Sequence, residues 1–395
     1  MISRFTLPQE LVNDVIDHLA DDPYALQACS LASWAWVSRC RSYLFETCVL
    51  TPETIALFRD LLSSAECTFS SHIRKVKASR HSGRPGDHIF DDIALYMRGL
   101  QDIRELDIRM TLSGSPHHWD PYPYFCTGFI TAFPHAARLD FAFTEDSTRS
   151  CYNHVTTPLF ETISFFPALR ELHITELYRR ISDPPATRAP PRELHCLELR
   201  EVSINPVLTW LNKSRHLPNV DSLTLSPVGH DEAAIVRAAM QRIGATLRHL
   251  DIEFHETEGL YKSRATYYFD LMTSIAVDQS SVQSLVFDLA LHPNLETLII
   301  RGDSEPSDDL QEFNPELLFR IVTSLVATPL EHLTLELDML FYENLNWAAL
   351  DAFLSRTRFP NLRRIVIKCT RHDKYHERDG HPDVYAALSE VFQVE

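Results

Sequence analysis

Histidine provides the densest candidate chemistry in this chain. The sequence contains 19 His, and three of them, His372, His376 and His381, lie close together with acidic residues between them. Imidazole and carboxylate groups are common zinc ligands. However, this segment is highly charged and follows the last predicted strand, which favours a solvated loop over a zinc site. The pair His117-His118 also lies in a loop and has no ligand spacing, so we predict no metal site.

Motifs for catalysis or nucleotide binding are missing from the sequence. It has no His-Glu-x-x-His, Gly-x-Ser-x-Gly or Gly-x-x-x-x-Gly-Lys. With 10 Gly against 23 Pro, it has few positions for a glycine-rich phosphate loop. The carboxylate pairs Asp231-Glu232 and Asp308-Asp309 stand where helices are predicted to begin, and the helix dipole explains them. We predict a non-catalytic protein without a cofactor, because no constellation of residues supports an enzyme.

A short hydrophobic repeat organises most of the chain. The pattern hydrophobic-x-x-hydrophobic-x-hydrophobic recurs, often after Pro, as in Phe359-Pro-Asn-Leu-Arg-Arg-Ile-Val-Ile367 and His292-Pro-Asn-Leu-Glu-Thr-Leu-Ile-Ile300. The fourth position of each copy falls at 48, 76, 106, 139, 172, 197, 223, 250, 298, 333 and 365. Most steps leave room for one strand and one helix. The longest, from 250 to 298, must carry an extra helix or an extended loop.

Such units predict an α/β fold in which a right-handed strand–helix solenoid stacks parallel strands. The pattern resembles a leucine-rich repeat domain over residues 45–370. It is irregular, because the Asn or Cys that usually follows the strand in that family is mostly absent. A conventional α/β domain with a parallel sheet is the alternative. Two breaker-rich loops, at 112–124 and 182–191, interrupt the units.

Residues 5–45 lack the repeat and predict three short helices. Thr6 can cap the first helix, whose apolar stripe contains Leu7, Leu11, either Val15 or Ile16, and Leu19. Asp21-Asp22-Pro23 ends that helix and starts the next. Three helices in about 40 residues are too few to bury their own apolar groups on both sides. We therefore expect the repeats or another protein to cover part of this surface.

These 40 residues resemble an F-box of the type common in mushroom-forming fungi. The matching anchors are Leu7-Pro8-x-Glu10-Leu11, Ile16-x-x-Leu19, Leu26-x-x-Cys29-Ser30-Leu31-Ala32, Trp36 and Arg41-x-x-Leu44-Phe45. Ala32 stands where Val is usual, and Trp34 where a polar or basic residue is commoner. Trp34 would either enlarge an apolar contact or pack against the first repeat.

The resemblance implies an adaptor with residues 1–45 as the F-box domain and 46–395 as an irregular leucine-rich-repeat-like domain. F-boxes dock on a Skp-family linker protein, which joins them to a cullin–RING ubiquitin ligase, while the repeats hold a protein substrate. Carried over by position, the linker-binding residues are Leu7, Pro8, Leu11, Ile16, Leu26, Cys29, Leu31 and Trp36. The alternative is a non-catalytic repeat scaffold whose F-box-like helices only cap the repeats.

The strand pattern also predicts a candidate substrate face. Side chains that alternate with the buried strand positions point to the opposite side of a sheet. A merely solvated face is the alternative for any single residue. The candidate residues are Asp107, Arg109, His173, Glu198, Arg200, Asp251, Glu253, Arg301, Glu336 and Lys368.

Charge and hydropathy limit the partners and the compartment. The net charge of −17 disfavours nonspecific binding to nucleic acid or to anionic membranes. No run reaches the ~18 apolar residues of a membrane span, and the first residues have no secretion signal. Eight Cys without a Cys-x-x-Cys suit a reducing compartment. We expect a cytoplasmic or nuclear protein, whose substrate the sequence does not identify.

Overall fold

A computed structural model describes most of the chain as two compact units. The described residues are 8–65, 67–82, 89–112, 127–145, 159–175, 188–202, 204–228, 232–254, 288–302, 315–338, 345–370 and 392–394. Unit 1 comprises residues 1–149 and 161–169, and unit 2 comprises residues 150–160 and 170–395. Within the described part, no helix has both the length and the apolar character needed to cross a membrane.

Unit 1 begins with three helices and continues with four parallel strands. Its helices are α1 (Gln9–His18), α2 (Pro23–Ala32), α3 (Trp34–Leu44), α4 (Ile55–Ser63), α5 (Ile89–Met97) and α6 (Thr127–Ile130), and the residues of α7 (Leu159–Ile163) divide between the units. Its strands are β1 (Thr47–Leu50), β2 (Lys75–Ser82), β3 (Glu105–Leu112) and β4 (Arg138–Glu145). Each strand pairs with the next one along the chain.

Unit 2 repeats the same plan with seven parallel strands and one antiparallel strand. The strands are β5 (Glu171–Thr175), β6 (Cys196–Arg200), β7 (Ser222–Val228), β8 (His249–Phe254), β9 (Thr297–Gly302), β10 (His332–Asp338), β11 (Arg364–Thr370) and β12 (Phe392–Val394). Its described helices include α8 (Ile204–Lys213), α9 (Ala233–Ile243), α10 (Pro315–Thr323) and α11 (Trp347–Phe353). Consecutive strands from β5 to β11 pair in parallel, and β12 runs antiparallel to β11.

A backbone ladder fixes where consecutive parallel strands begin. In unit 2 the carbonyl of Arg170 accepts hydrogen bonds from the backbone N–H of His195 at 3.0 Å and of Cys196 at 3.1 Å. The carbonyl of His195 then accepts two hydrogen bonds from the next repeat in the same way, and the arrangement recurs as far as Glu331. Because one carbonyl satisfies two donors of its neighbour, the strands stay in register although the number of residues between them varies.

The Pro-Asn turns add a second link between neighbouring repeats of unit 2. Asn294 Nδ2 donates to the carbonyl of Ala245 at 2.8 Å, and Asn361 Nδ2 donates to the carbonyl of Thr328 at 3.0 Å. The usual Asn after the strand is mostly missing from this sequence. Here an Asn placed before the strand donates to a turn carbonyl of the preceding repeat instead.

One buried histidine closes the turn after α9. His292 is fully buried, and its Nδ1 donates to the carbonyl of Gly244 at 2.7 Å. Gly244 is the C-cap of α9 and has a φ of 57°, a conformation that glycine adopts without steric cost. His292 Nε2 has no hydrogen-bond partner in the described part. Burial lowers the pKa of His292, so the ring is neutral near pH 7.

The repeat pattern is confirmed as a marker of strands, because the fourth residue of each of the eleven copies is the second residue of a strand. Each unit is a mixed α/β structure with consecutive parallel strands, consistent with a strand–helix solenoid. The segment predicted to hold an extra helix or loop, 255–287, lies outside the described residues, as do 113–124 and 182–187 of the two breaker-rich loops.

Candidate interaction surfaces

The first three helices have a small core of their own. Val12 and Ile16 of α1, Leu26 of α2 and Cys40 of α3 are buried together. Partly buried apolar side chains pack around them, namely Leu19, Cys29, Trp36, Tyr43 and Leu44. Helix α3 packs against both α1 and α2. The three helices are therefore partly self-supporting.

A two-pronged ion pair fastens α1 to α3. Arg39 Nε donates to Asp17 Oδ1 at 2.7 Å, and Arg39 Nη2 donates to Asp17 Oδ2 at 2.6 Å. The same Nη2 lies 3.2 Å from Tyr43 Oη, and the guanidinium carbon lies 5.2 Å from the Tyr43 ring centroid. The hydrogen bond from Arg39 holds the pKa of Asp17 below its usual value. Planar, bidentate pairing of this kind fixes orientation.

Large apolar side chains remain uncovered on all three helices. Leu11 is 52% exposed, Leu31 is 89% exposed and Trp34 is 91% exposed. Val15 and Tyr24 are also exposed. Leu11 and Val15 are four residues apart on α1, so they share one face of that helix. Apolar exposure of this kind, around a core that is already closed, is typical of an interaction surface.

The structure separates the eight predicted linker-binding residues into groups. Pro8, Leu11 and Leu31 are exposed, whereas Cys29 and Trp36 are half-buried against the helical core. Leu7 lies outside the described residues.

Two of these eight residues need a correction. Ile16 and Leu26 are each only 1% exposed, so they form the core and do not offer a contact surface. Val15, Tyr24 and Trp34 are exposed instead, and the predicted set omitted them. Val15 had a sequence signal, since it shares a helical face with Leu11 and was one of two choices for the stripe.

Two contacts join these helices to the first repeat of unit 1. The Phe45 ring lies 5.3 Å from the Phe69 ring, which lies 6.0 Å from Phe58 of α4. Arg41 Nη1 donates to Thr68 Oγ1 at 3.1 Å. Phe45, at the end of α3, thus meets the repeat, whereas Trp34 stays in solvent. Trp34 was predicted either to enlarge an apolar contact or to pack against the first repeat. Its exposure favours the apolar contact.

The second surface is the polar strand face of unit 2. We give this name to His173, Glu198, Arg200, Asp251, Glu253, Arg301, Glu336 and Lys368, which alternate with buried residues along β5, β6 and β8–β11. On β5 and β6, His173 Nδ1 lies 2.9 Å from Glu198 Oε2, and Arg200 Nε pairs with Glu198 Oε1. Arg200 then extends past the small side chains of β7 to Asp251 Oδ2, at 3.4 Å.

The chain of ion pairs continues across the remaining strands. Arg301 of β9 lies 2.7 Å from Asp251 Oδ2 of β8 and 3.7 Å from Glu336 Oε2 of β10. Lys368 of β11 lies 3.4 Å from the same Glu336 oxygen. Beside this chain, Ser226 Oγ of β7 donates to Glu253 Oε2. These side chains are brought together as the alternation predicted, and most of their charges are matched within the face.

Two carboxyl groups in the polar strand face have shifted pKa values in opposite directions. The hydrogen bond from His173, supported by Arg200, lowers the pKa of Glu198 to about 2. Burial raises the pKa of Asp251, against the pull of Arg301 and Arg200. Asp251 Oδ1 is buried and has no hydrogen-bond partner among the described residues. Glu198 is therefore a firmly held anion, whereas Asp251 has spare acceptor capacity.

The remaining two candidates, Asp107 and Arg109, lie on β3 in unit 1. Asp107 is 5% exposed, which corrects its prediction as a recognition residue. Its Oδ1 lies 3.2 Å from Arg109 Nε, and the Arg109 side chain is 65% exposed. Asp107 therefore orients Arg109, which is the group that a partner can reach.

A half-open depression of about 250 Å³ lies on the same side of β9, β10 and β11. The cross-strand register arranges its lining in rows. The middle row consists of Ile299, Thr334 and Val366. One flanking row is the ion-paired set Arg301, Glu336 and Lys368, and the other contains His332 and Arg364. This depression, here called the β9–β11 pocket, combines apolar and cationic groups.

The other sequence candidates give no further site. Glu232 Oε1 accepts the backbone N–H of Ile204 at 2.7 Å, so it lies at the beginning of α8 in the neighbouring repeat. Within the described ranges, no group of three or more His, Cys, Asp or Glu is arranged to hold a metal ion. The His372–His381 cluster and the His117-His118 pair lie outside those ranges.

Comparison with known proteins finds no matching protein-family model and no matching curated protein. Among solved structures, the chain is similar to a crystal structure of a protein from Bacteroides fragilis. The sequence identity is 11%, the similarity covers 60% of this chain and 74% of that chain, and the TM-score is 0.32. A similarity of this degree carries no argument about fold or function.

Proposed function

We propose that this protein is a substrate-recognition subunit of a Skp–cullin–F-box ubiquitin ligase. Helices α1–α3 dock on the Skp-family linker, and the repeats bind a target protein without catalysing a reaction. The observation that carries the proposal is the exposure of Leu11, Leu31 and Trp34 on helices that resemble an F-box. The setting is the cytoplasm or the nucleus, where such ligases act.

The energetic argument concerns what an exposed apolar side chain gains from a partner. Fully burying a side chain of this size contributes about 1.5–3 kcal/mol. Leu31 and Trp34 keep about nine-tenths of their surface in water, so nearly all of that energy is available for association. Large side chains in the centre of an interface dominate binding energies, and Trp is enriched among them. A helical surface with several such anchors suits a helical partner.

The docking surface that we propose differs from the sequence-based set. It consists of Pro8, Leu11, Val15, Leu31 and Trp34, with Tyr24 as a further candidate by exposure alone. Trp36 and Cys29 contribute only their accessible edges. Ile16 and Leu26 act indirectly, because they hold α1 and α2 in position.

The test is direct binding of a purified Skp-family linker to the full-length protein, measured by calorimetry. Leu31→Asp places a charge in the proposed contact and should lower the affinity at least tenfold, a loss of about 1.4 kcal/mol. Leu95→Asp on α5 is the matched control, since Leu95 is 71% exposed and lies in the same unit outside the three helices. Equal affinity of Leu31→Asp and wild type would refute the docking assignment.

The repeat scaffold with an N-terminal cap is supported by a separate observation. The Phe45–Phe69 and Arg41–Thr68 contacts attach α3 to the first repeat, as a cap requires. That function predicts no linker binding by the wild-type protein at all. The same calorimetric measurement therefore distinguishes the two candidates.

A further inference from the structure

The β9–β11 pocket differs in composition from the rest of the polar strand face. On β5, β6 and β8 the side chains at the same strand position are His173, Glu198 and Asp251, all of which are polar. On β9 and β11 that position holds Ile299 and Val366. Ile299 is half-buried, whereas Val366 is only 5% exposed, so this part of the face has an apolar floor whose accessible surface belongs mainly to Ile299.

The pocket is also positively charged in a protein whose net charge is −17. Its lining includes Arg301, Arg364 and Lys368 against a single carboxylate, Glu336. Glu336 already pairs with Arg301 and Lys368, at 3.7 and 3.4 Å, and Arg301 also pairs with Asp251 at 2.7 Å. Arg364 is exposed, and no carboxylate of the described residues lies within ion-pairing distance of it. Its guanidinium group is therefore available to an anionic ligand.

The positions of the floor and of Arg364 limit what this ligand can be. Arg364 and Val366 are two residues apart on β11, which places their Cα atoms about 6–7 Å apart. A ligand that uses both must carry an anion and a branched apolar group within that distance. The volume of about 250 Å³ has room for one amino-acid residue and little more.

We propose that the β9–β11 pocket binds the C-terminal residue of a target protein. A C-terminal Val, Leu or Ile carries its carboxylate and its branched side chain on one Cα atom, so both requirements are met within one residue. The carboxylate lies against Arg364, where a planar guanidinium group can bind both oxygens, and the side chain lies over Thr334, between Ile299 and the accessible edge of Val366. An internal Asp or Glu fits less well, since its side chain ends in the charge and has no branch for the floor.

This inference rests on the proposed function only in taking the ligand to be a polypeptide. The test uses the purified full-length protein and two pooled libraries of short peptides with randomised sequences ending in Val, Leu or Ile. One library has free C-terminal carboxylates, and the other is amidated throughout. Captured peptides are identified by mass spectrometry, and the affinities of the most enriched free-acid peptides and their amides are measured by fluorescence anisotropy. We expect amidation to weaken binding about tenfold or more.

The variants locate the binding to the pocket. Arg364→Gln should lower the affinity of the enriched free-acid peptides about tenfold while leaving the weak binding of their amides unchanged. Arg363→Gln is the matched control, because it removes the same charge from the adjacent residue, whose ion pair is with Glu331 outside the pocket. Ile299→Gln should reduce the preference for a branched last residue and keep the dependence on the free carboxylate.

Three results would overturn the proposal. They are a lack of enrichment in the free-acid library, equal affinity of the acid and amide peptides, and equal loss of affinity in Arg364→Gln and Arg363→Gln. Equal affinity of acid and amide peptides rich in Asp or Glu would indicate internal acidic residues as the ligand. Linker binding through α1–α3 is measured in a separate experiment. A negative peptide result therefore leaves the ligase assignment intact, and a lack of linker binding leaves the peptide result valid.

Discussion

Leu26 and Leu31 lie on the same helix, and the sequence assigned both to one docking surface. In the structure Leu26 is 1% exposed and Leu31 is 89% exposed. The same substitution, Leu→Ala, should therefore have opposite consequences at the two positions. Leu26→Ala should destabilise the helical core and leave the contact surface chemically intact. Leu31→Ala should weaken linker binding and leave stability unchanged.

The expected free-energy changes follow from the different burial of the Leu26 and Leu31 side chains. Leu→Ala in a closed core costs about 2–5 kcal/mol, which includes the lost transfer energy and the cavity that remains. At Leu31 only about a tenth of the side chain is out of water, so the transfer energy lost is about 0.2 kcal/mol. For linker binding the larger effect belongs to Leu31→Ala. Covering the Leu31 side chain in the complex contributes about 1.5–3 kcal/mol, which corresponds to at least a tenfold change in affinity.

Hydrogen exchange of the α1–α3 amides is the appropriate assay of stability. Unfolding of a chain with two units need not be a single transition, whereas amide exchange reports the opening of these helices directly. Calorimetry with a purified linker gives the affinities. Exchange as slow in Leu26→Ala as in wild type, or as fast in Leu31→Ala as in Leu26→Ala, would refute the separation of core from docking surface.

Other features of unit 2 give predictions for stability and salt dependence. Because His173 and Arg200 lower the pKa of Glu198 to about 2 from 4.5, its stabilisation should be complete above pH 4.5 and disappear as the pH falls through 2. Urea unfolding at several pH values should show this loss in wild type and not in Glu198→Gln. Burial lowers the pKa of His292 below 6.5, so stability should decline as the pH falls below 6.5, and a His292→Asn variant with the same decline would contradict this. Asn361→Ala removes the hydrogen bond to Thr328 and should lower the free energy of unfolding by about 1 kcal/mol, whereas no loss in urea unfolding would show that water replaces the amide. Peptide binding to the β9–β11 pocket should weaken between low and high salt, whereas linker binding should change little, as anisotropy and calorimetry would report.

The strands could be predicted from the sequence because their signal is local. A hydrophobic-x-hydrophobic strand with one buried face needs no knowledge of its neighbours, and the repeat places it at the same point in every unit. The docking helices were harder, since a 3.6-residue period allowed either Val15 or Ile16 to lie on the apolar stripe. Packing against α3 decides the choice, and that contact is not visible in α1 alone.

The β9–β11 pocket did have a sequence signal that the repeat pattern concealed. Most copies alternate apolar and polar residues along the strand, whereas Leu298-Ile299-Ile300 and Ile365-Val366-Ile367 are apolar at three successive positions. The middle residue of such a run must point to the polar side of the sheet. Three apolar residues in a row therefore indicate a local apolar floor, even though each run also satisfies the repeat.

The matched charges of the polar strand face determine where binding energy can be measured. Glu198, Arg200, Asp251 and Arg301 form a chain of ion pairs, so removing any one takes one counter-ion away from a partly buried charge. The cost then appears in folding and in binding alike, and a loss of binding does not identify a contact. Arg364 has no such partner among the described residues, so its removal changes only what it offers to a ligand. Arg364 is therefore the position at which recognition and stability can be separated on this face.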